Sequence, residues 1–452
     1  MTKEKSTAKP RELSLTKLFQ QGDSEVKISY FLMGWANLVN GQIVKGLWFL
    51  LVEVAFFFWL FVQGLPAIGM LRTLGTKKQG WVLDKKEGIN VLQAGDNSML
   101  LLLFGIAALI VVGLFLYQYR VNLKSTRDLY LRKLAGKKPL TLKETWADLL
   151  DKKLHILLMS IPLVGVLIFT VLPLLYMLSI AFTSYDHNHL PPKNLFSWVG
   201  FHNFGNVLNG DIAGTFFPVL GWTLTWAVLA TVTSFIFGVL LAMMINAKGI
   251  GGKKIYRTLF ILTMAMPQFI SLLIMSNLFA DAGLVNATLM NWGWISHPLP
   301  FLSDGLWAKF TIVFVNLWVG IPATMLVTTG ILQNLSQDQV EAAEIDGANK
   351  FQIFRDITFP QILFVMAPSL IQQFIGNINN FNVIFLLTNG GPSNSNYYNA
   401  GDTDLLVTWL YKLTVDAADY NLASVIGILI FVLSAVFSLL AYKRVNKLGA
   451  VN

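Results

Sequence analysis

Among the six side-chain amides that interrupt the largely apolar run at 362–388, Gln373, Asn377 and Asn380 are spaced i, i+4 and i+7. On one helix that spacing sets them along a single face. An amide buried without a partner costs roughly 1–3 kcal/mol, so a face of this kind needs company. Either it lines a wet cavity, or it bonds to neighbouring helices as polar glue. In the first case it suits a neutral, hydroxyl-rich solute such as an oligosaccharide. Charged partners are unnecessary for such a solute and would raise the cost of a membrane cavity. Gln372, Asn379 and Asn382 share the stretch, and the last two are expected to be structural.

A second chemistry-bearing segment reads SQDQVEAAEIDGANKFQIFRDITFP, residues 336–360. Ser336 and Gln339 have capping-box spacing, which starts a helix there. Val340, Ala343 and Ile345 form an uneven apolar side, while Glu341 and Glu344 stay available for contacts. Asp346-Gly347 signals a turn, because glycine accepts backbone shapes that other residues resist. A second short helix is predicted over 350–358, with Phe351, Ile353, Phe354 and Ile357 apolar, and Pro360 marks entry to the next apolar run. The small side chains of Ala342 and Ala343 let another protein's surface approach closely. Two helices joined by a tight turn, polar enough to lie outside the bilayer, are the expected product.

Other chemistries lack their residues. The nearest approach to a phosphate-binding loop, Gly249 to Lys254, has neither the spacing nor the Ser/Thr. The chain has no Cys, which rules out disulfides and thiol catalysis, and its 5 His are scattered. No catalytic site, metal site or cofactor is expected. Nucleic acid is not an expected partner either, since the formal charge of +9 fits topology and contact with membrane lipid better.

The elements that must carry these residues are membrane helices. Of 452 residues, 54% are hydrophobic and only 13% charged, with 33 Phe and 13 Trp, whereas soluble domains carry about 25% charge. A helix crossing about 30 Å of hydrocarbon needs roughly 20 residues. Eight runs qualify: 47–65, 98–118, 156–180, 222–246, 258–280, 310–331, 362–388 and 424–442. The fold class is therefore an all-α polytopic membrane protein. Glu53 is the one charged side chain well inside a span, and it is expected to face neighbouring helices or to snorkel toward an edge. Pro162, Pro173, Pro267, Pro322 and Pro368 predict bends. Residues 28–46 suggest a short interfacial or re-entrant helix. With the N-terminus inside, segments 1–46, 119–155, 247–257, 332–361 and 443–452 hold 26 of the 34 basic residues. Positive-inside places both termini in the cytoplasm and 336–360 with them. The expected organisation is then a cytoplasmic segment 1–46 and three helices over 47–180. These enclose an external loop 66–97 and the basic loop 119–155. A short external region 181–221, a core 222–442 and a tail 443–452 follow.

Glu341-Ala342-Ala343 followed by Gly347, Ile357 and Pro360 resembles the EAA loop of ABC-importer permease subunits, with Phe359 where Leu is commoner. Residues 222–442 as a whole resemble the six-helix core of type I ABC-importer permeases. The similarity is greatest to the maltose/maltodextrin type, through VNLWVGIP (315–322), NINNFNVIFLLTNGGP (377–392) and AGDTDLLVTWLYKLT (400–414). Eight spans with cytoplasmic termini also fit that type. The large external domain of Gram-negative members is missing, because only 181–221 is available for it, and a compact Gram-positive version results.

The resemblance implies an ATP-driven, binding-protein-dependent importer of maltose and maltodextrins, of which this chain is one permease subunit. It implies a second permease subunit, a dimer of cytoplasmic ABC ATPase subunits and an extracellular lipid-anchored sugar-binding protein as partners. Glu341, Ala342, Ala343 and Gly347 would dock on the ATPase. Gln373, Asn377 and Asn380, with Asn316 and Gly320, match positions that contact sugar, whereas Ala323 replaces an aromatic residue there and removes a stacking face. Thr388-Asn389-Gly390-Gly391-Pro392 is expected to shape the outer rim and contact the binding protein. Three other readings stand beside this one: a permease for another neutral oligosaccharide, an ion-coupled secondary carrier, and a non-transporting membrane scaffold.

Overall fold

Strongly apolar segments leave no water to satisfy the backbone, so they fold as helices that bond internally. The computed structural model describes residues 14–83, 88–151, 153–247, 249–334 and 337–449. Among these, eight helical stretches are long and apolar enough to cross a bilayer: Ile43–Met70, Ser98–Leu134, Leu154–Ile180, Ala213–Asn246, Gln268–Asn291, Gly305–Asn334, Lys350–Ile378 and Tyr420–Lys443. The expected count of eight is met. Contacts divide the chain into two units, Met1–Trp198 and Val199–Asn452.

The first unit opens with three short helices, α1 (Leu15–Gln21), α2 (Ser24–Ile28) and α3 (Trp35–Val39). The first span follows as α4 (Ile43–Trp59), a wider turn at Leu60–Gly64, and α5 (Leu65–Met70). The loop between the first two spans carries a two-stranded antiparallel hairpin, β1 (Gly80–Leu83) with β2 (Asn90–Gln93), in which Trp81 faces Leu92. Next comes α6 (Ser98–Leu134), started by Asn97, whose side chain accepts from the Met99 and Leu100 amides. At 1.5 Å per residue α6 is about 55 Å long and outruns the hydrocarbon, so its basic end projects from the bilayer. Arg132 and Lys133 in its last turn favour the negative end of the helix dipole. Then come α7 (Leu142–Leu150), α8 (Leu154–Val166), a wider turn at Leu167–Val171, and α9 (Leu172–Ile180).

Residues 28–46 hold the end of α2, a turn, α3 and the start of α4. This stretch is stitched to α6 by polar bonds: Gly34 N to Asn122 Oδ1 (2.9 Å), Asn122 Nδ2 to Ser29 O (3.1 Å) and Asn37 Nδ2 to Ser125 Oγ (3.0 Å). Glu53 faces inward, as expected. Only 8% exposed, it accepts from the Met33 amide at 2.7 Å. It is thus a pin between the first span and the segment that precedes it.

The second unit contains α10 (His202–Asn209), α11 (Ala213–Asn246), α12 (Lys253–Ala265), α13 (Gln268–Phe279), α14 (Leu284–Asn291) and α15 (Gly305–Asn334). It continues with α16 (Gln337–Ile345), α17 (Lys350–Ile353), a wider turn at Phe354–Thr358, α18 (Phe359–Ile378), α19 (Phe381–Thr388), α20 (Leu406–Val415) and α21 (Tyr420–Gly449). Five of the eight spans fall here. Its core is a cluster of Trp226, Ala230, Leu272, Ile312, Val315, Val383, Ile384, Leu387 and Leu405. Two expected spans differ. The 258–280 run breaks at Met266, which is extended (ψ 133°) before Pro267, because proline disfavours helical geometry in the residue ahead of it. The 362–388 run breaks at 379–380, and its first helix instead begins far upstream at Lys350. The helix that carries the 222–246 run starts earlier, at Ala213.

If Glu53 is a pin, Glu53→Gln keeps an acceptor for Met33 and retains near-native thermal stability. Glu53→Leu orphans a buried amide and costs about 1–3 kcal/mol. Thermal unfolding of the two variants in detergent checks this. Equal losses in the two variants would contradict the pin.

Candidate functional site

The site is built on α11. Along one side this helix buries Ala227, Ala230, Thr231, Ser234 and Gly238, small residues at helical spacing that let other helices come close. Gly320 of α15 sits against Ser234: a Cβ at Gly320 would lie 2.7 Å from the Ser234 Cβ, and closer still to its hydroxyl. One turn on, the relation reverses, and a Cβ at Gly238 would meet the Thr324 Cβ at 2.5 Å. Each helix thus contributes one glycine to a contact that any side chain would force apart. Asn316 Nδ2 donates to Ser234 Oγ at 3.4 Å and is 5% exposed.

On the other flank of α11 lies the end of α18. Asn377, 7% exposed, donates from Nδ2 to Thr231 Oγ1 at 3.0 Å. Its carbonyl accepts from Trp226 Nε1 at 3.1 Å, and its Oδ1 accepts from Asn380 Nδ2 at 3.3 Å. Asn380 has left the helix, with φ −77° and ψ 88°, and its own Oδ1 caps α19 by accepting from the Val383 amide at 3.2 Å. The expected single face of Gln373, Asn377 and Asn380 is therefore corrected. The helix stops at Ile378, and only the first two share it. The amides of a broken helix are freed to cap the next one, a local bonding option open to Asn.

Four of the five candidate binding residues thus gather on one seam, joined through Thr231 and Ser234, one turn apart on α11. Gln373 stays separate. It is half-buried on α18 and has no hydrogen-bond partner among the described residues. Gln372, Asn379 and Asn382 are exposed, as is Ala323. A crevice of about 440 Å³ bounded by Phe260, Met275, Phe314, Trp318 and Pro322 is almost wholly apolar and includes none of the five. Reading the amides alone misses Trp226, Thr231 and Ser234. Their signal is present in the small-residue spacing of 227–238.

Residues 337–360 form a helix, a tight turn and the start of a second helix, as the sequence predicts, but that second helix does not stop at 358. Ser336 lies outside the described residues. The helix α16 ends in a Schellman motif: the Gly347 amide donates to Glu344 O (3.1 Å) and the Ala348 amide to Ala343 O (2.9 Å). Gly347 has φ +85° in open space, so backbone shape rather than crowding requires glycine there. Asn349 and Gln352 then cap each other reciprocally, at 2.9 and 2.8 Å, and start α17. From Lys350 the helix continues through the wider turn and past Pro360 to Ile378. Phe354 stacks near Phe359 (5.6 Å between centroids), and Phe359 near Phe235 of α11 (6.2 Å). Gln361 Nε2 donates to Gln339 Oε1 at 2.8 Å and ties the two arms together. Glu341, Ala342 and Gly347 are exposed, and Ala343 is half-buried. Ile345 and Phe351, 85% and 68% exposed, add an apolar rim that composition alone does not reveal.

Beyond α19, the Thr388–Pro392 turn folds back on the next element. Thr388 Oγ1 meets Thr403 Oγ1 at 2.9 Å, and the buried Asp404 pairs with Lys412 Nζ at 2.7 Å. Trp222 Nε1 donates to Thr403 O at 3.1 Å, which fixes this loop to α11.

The family model described as "Binding-protein-dependent transport system inner membrane component" matches residues 234–448. The chain is 36% identical over 432 residues to the maltodextrin transport system permease protein MdxF of Bacillus subtilis (strain 168), covering 92% of this chain and 94% of that protein. It is 37% identical over 409 residues to the galactooligosaccharides transport system permease protein GanP of the same organism, covering 89% and 93%. A bacterial ABC transporter involved in import of the acidic polysaccharide alginate contains a chain of similar fold. That likeness has a TM-score of 0.56 at 23% identity and covers 67% of this chain and 98% of that one.

The seam geometry separates two amides by their effect on stability. Asn377→Leu leaves the Thr231 hydroxyl and the Asn380 amide without their partner, at a cost of about 1–3 kcal/mol. Gln373→Leu removes no bond within the chain and stays within about 0.5 kcal/mol of the parent. Paired thermal-melt measurements in the same detergent check the difference, and equal losses would contradict the seam.

Proposed function

The chain belongs to the family of binding-protein-dependent transport system inner membrane components, and on that premise we propose that it is one of two permease subunits of an ATP-driven importer carrying maltose and maltodextrins. The observation that carries this reading is the hairpin between two spans, with Glu341 and Ala342 exposed and Gly347 in the left-handed region. Such a surface, acidic at Glu341 and Glu344, flat at Ala342 and rimmed by Ile345 and Phe351, suits docking in a groove on a separate ATPase dimer. The distribution of basic residues supports a cytoplasmic position for it and for both termini. Similarity to a maltodextrin permease over nearly the whole chain supports the cargo. Similarity of the same order to a galactooligosaccharide permease makes that cargo the second reading.

The mechanism follows from continuity. ATP binding closes the ATPase dimer and displaces α16 and its turn. Phe354 and Phe359 pack in the cluster of Phe235, Val239, Ile362 and Met366, so the hairpin moves with α18 and with the foot of α11. At the far end of α18 the chain breaks at Asn379–Asn380. A rotation of α18 there shifts Asn377 relative to Thr231 and opens the seam. The freed amides of Asn377, Asn380 and Asn316, with Gln373, then offer donors and acceptors to sugar hydroxyls delivered by an extracellular lipid-anchored binding protein. Gly320 leaves room for a ring to approach the backbone. Hydrolysis resets the seam. Coupling of this kind is mechanical, a bias on two packed states.

Uptake in vesicles holding this chain, the second permease, the ATPase and the binding protein tests the reading. Glu341→Lys or Gly347→Val is expected to lower ATP-dependent uptake at least tenfold while the subunit still assembles. Gln373→Ala, losing about 0.5–1.5 kcal/mol of sugar contact, raises the half-saturating sugar concentration about 2- to 10-fold. Maltotriose is expected to compete better than a β-linked galactotriose, and the reverse order would select the second cargo. Uptake by this chain alone, driven by a proton gradient, would overturn the proposal.

A further inference from the structure

The basic segment 119–155 contains a helix that the transport reading does not use. Started by a reciprocal Thr141–Glu144 capping box, α7 presents Leu142, Trp146 and Leu150 at i, i+4 and i+8. All three are more than half exposed, at 51%, 54% and 54%. The helix is held at both ends. Gln42 Nε2 donates to Leu140 O at 2.9 Å just ahead of it, and Lys153 Nζ pairs with Asp148 at 2.7 Å just behind. The inner side of the helix is taken by Thr145, Asp148 and Leu149, each half-buried. The stripe lies beside that covered side and is itself left uncovered by the first unit.

We infer that α7 lies in the membrane surface with Leu142, Trp146 and Leu150 sunk among the acyl chains of anionic phospholipid. Position comes first: the helix ends at Leu150 and the next membrane span begins at Leu154. Four residue steps reach at most about 14 Å, so the stripe cannot leave the neighbourhood of the bilayer boundary. Charge comes second. Residues 119–155 carry ten Lys and Arg against four Asp and Glu, and Lys137, Lys138, Lys143 and Lys153 flank the stripe, as suits an anionic leaflet. Residue type comes third: a Trp between two Leu, with Glu144 on the opposite face, is the pattern of a helix lying in the interface. Anionic lipid would then hold the basic end of the first unit in place while the rest of the transporter moves. The leaflet assigned here rests on the cytoplasmic position of 119–155 adopted above.

The absence of Cys makes a clean test available. Trp146→Cys and Ala147→Cys are labelled with bimane in the assembled four-subunit transporter, reconstituted in vesicles of phosphatidylglycerol and phosphatidylethanolamine. Leu150→Cys serves as a second stripe position should Trp146→Cys fail to assemble. Brominated lipid is expected to quench the stripe position at least twofold more than position 147, with iodide showing the reverse order. Replacing phosphatidylglycerol with phosphatidylcholine is expected to reduce that difference. Equal iodide quenching at both positions would overturn the inference. So would shielding of position 146 that disappears when the ATPase subunits are stripped off, because protein would then be its cover. Labelling of Ala147→Cys in intact cells by an impermeant maleimide would refute the leaflet and the orientation, while the quenching result would still report separately on lipid contact.

Discussion

Every polar group placed within a bilayer must find its partner inside the protein, and the second unit answers to that constraint at α11. Thr231 and Ser234 are each small enough to be enclosed and each accepts one amide, Thr231 from Asn377 and Ser234 from Asn316. The glycines at 238 and 320 bring the backbones near enough for these short side chains to reach. A side chain at either glycine would part α15 from α11 and draw Ser234 away from the Asn316 amide. A packing contact and a pair of hydrogen bonds therefore depend on each other, and together they set where α15 and α18 stand. Bonds of this kind are modest individually, which suits a seam that must open and close.

In the proposed mechanism the hairpin transmits because its second arm is not a separate helix. From Lys350 to Ile378 one helical rod runs from the exposed turn to Asn377. The aromatic contacts of Phe354, Phe359 and Phe235 prevent the exposed end from moving without its neighbour. Under that proposal α18, continuous where force enters and broken where the amides sit, converts displacement at Gly347 into rearrangement at Asn379–Asn380. The Asp404–Lys412 pair and the threonine contact at 388–403 hold the segment beyond the break, so the hinge is bounded on both sides.

Much of this was legible in the residues. Long apolar runs yield the eight spans because hydrocarbon leaves helices few alternatives. Asp346-Gly347 announces its turn because only glycine takes that backbone shape cheaply. Gln373 and Asn377 share a helix face as their spacing predicts, whereas Asn316 and Gly320 enter through the family resemblance. What stayed hidden has a common cause. Hydropathy counts side chains and is blind to backbone breaks, so the interruptions at Met266 and Asn379 were smoothed over, although Pro267 did signal the first. Periodicity extended one face through Asn380 because the sequence does not say when an amide will leave its helix to cap another. Thr231 and Ser234 passed as unremarkable members of an apolar run, since their importance lies in what faces them. Ile345 and Phe351 look like core residues until the fold leaves them outside.

The central claim is that the 337–358 hairpin is a cytoplasmic lever seated on a separate ATPase. The most direct measurement places one cysteine at Ala342 in the otherwise cysteine-free chain and follows its reaction with a membrane-impermeant maleimide. The account predicts no labelling in intact cells, labelling after permeabilisation, and protection when the ATPase subunits are bound. Labelling of intact cells, or labelling indifferent to the ATPase, would contradict it.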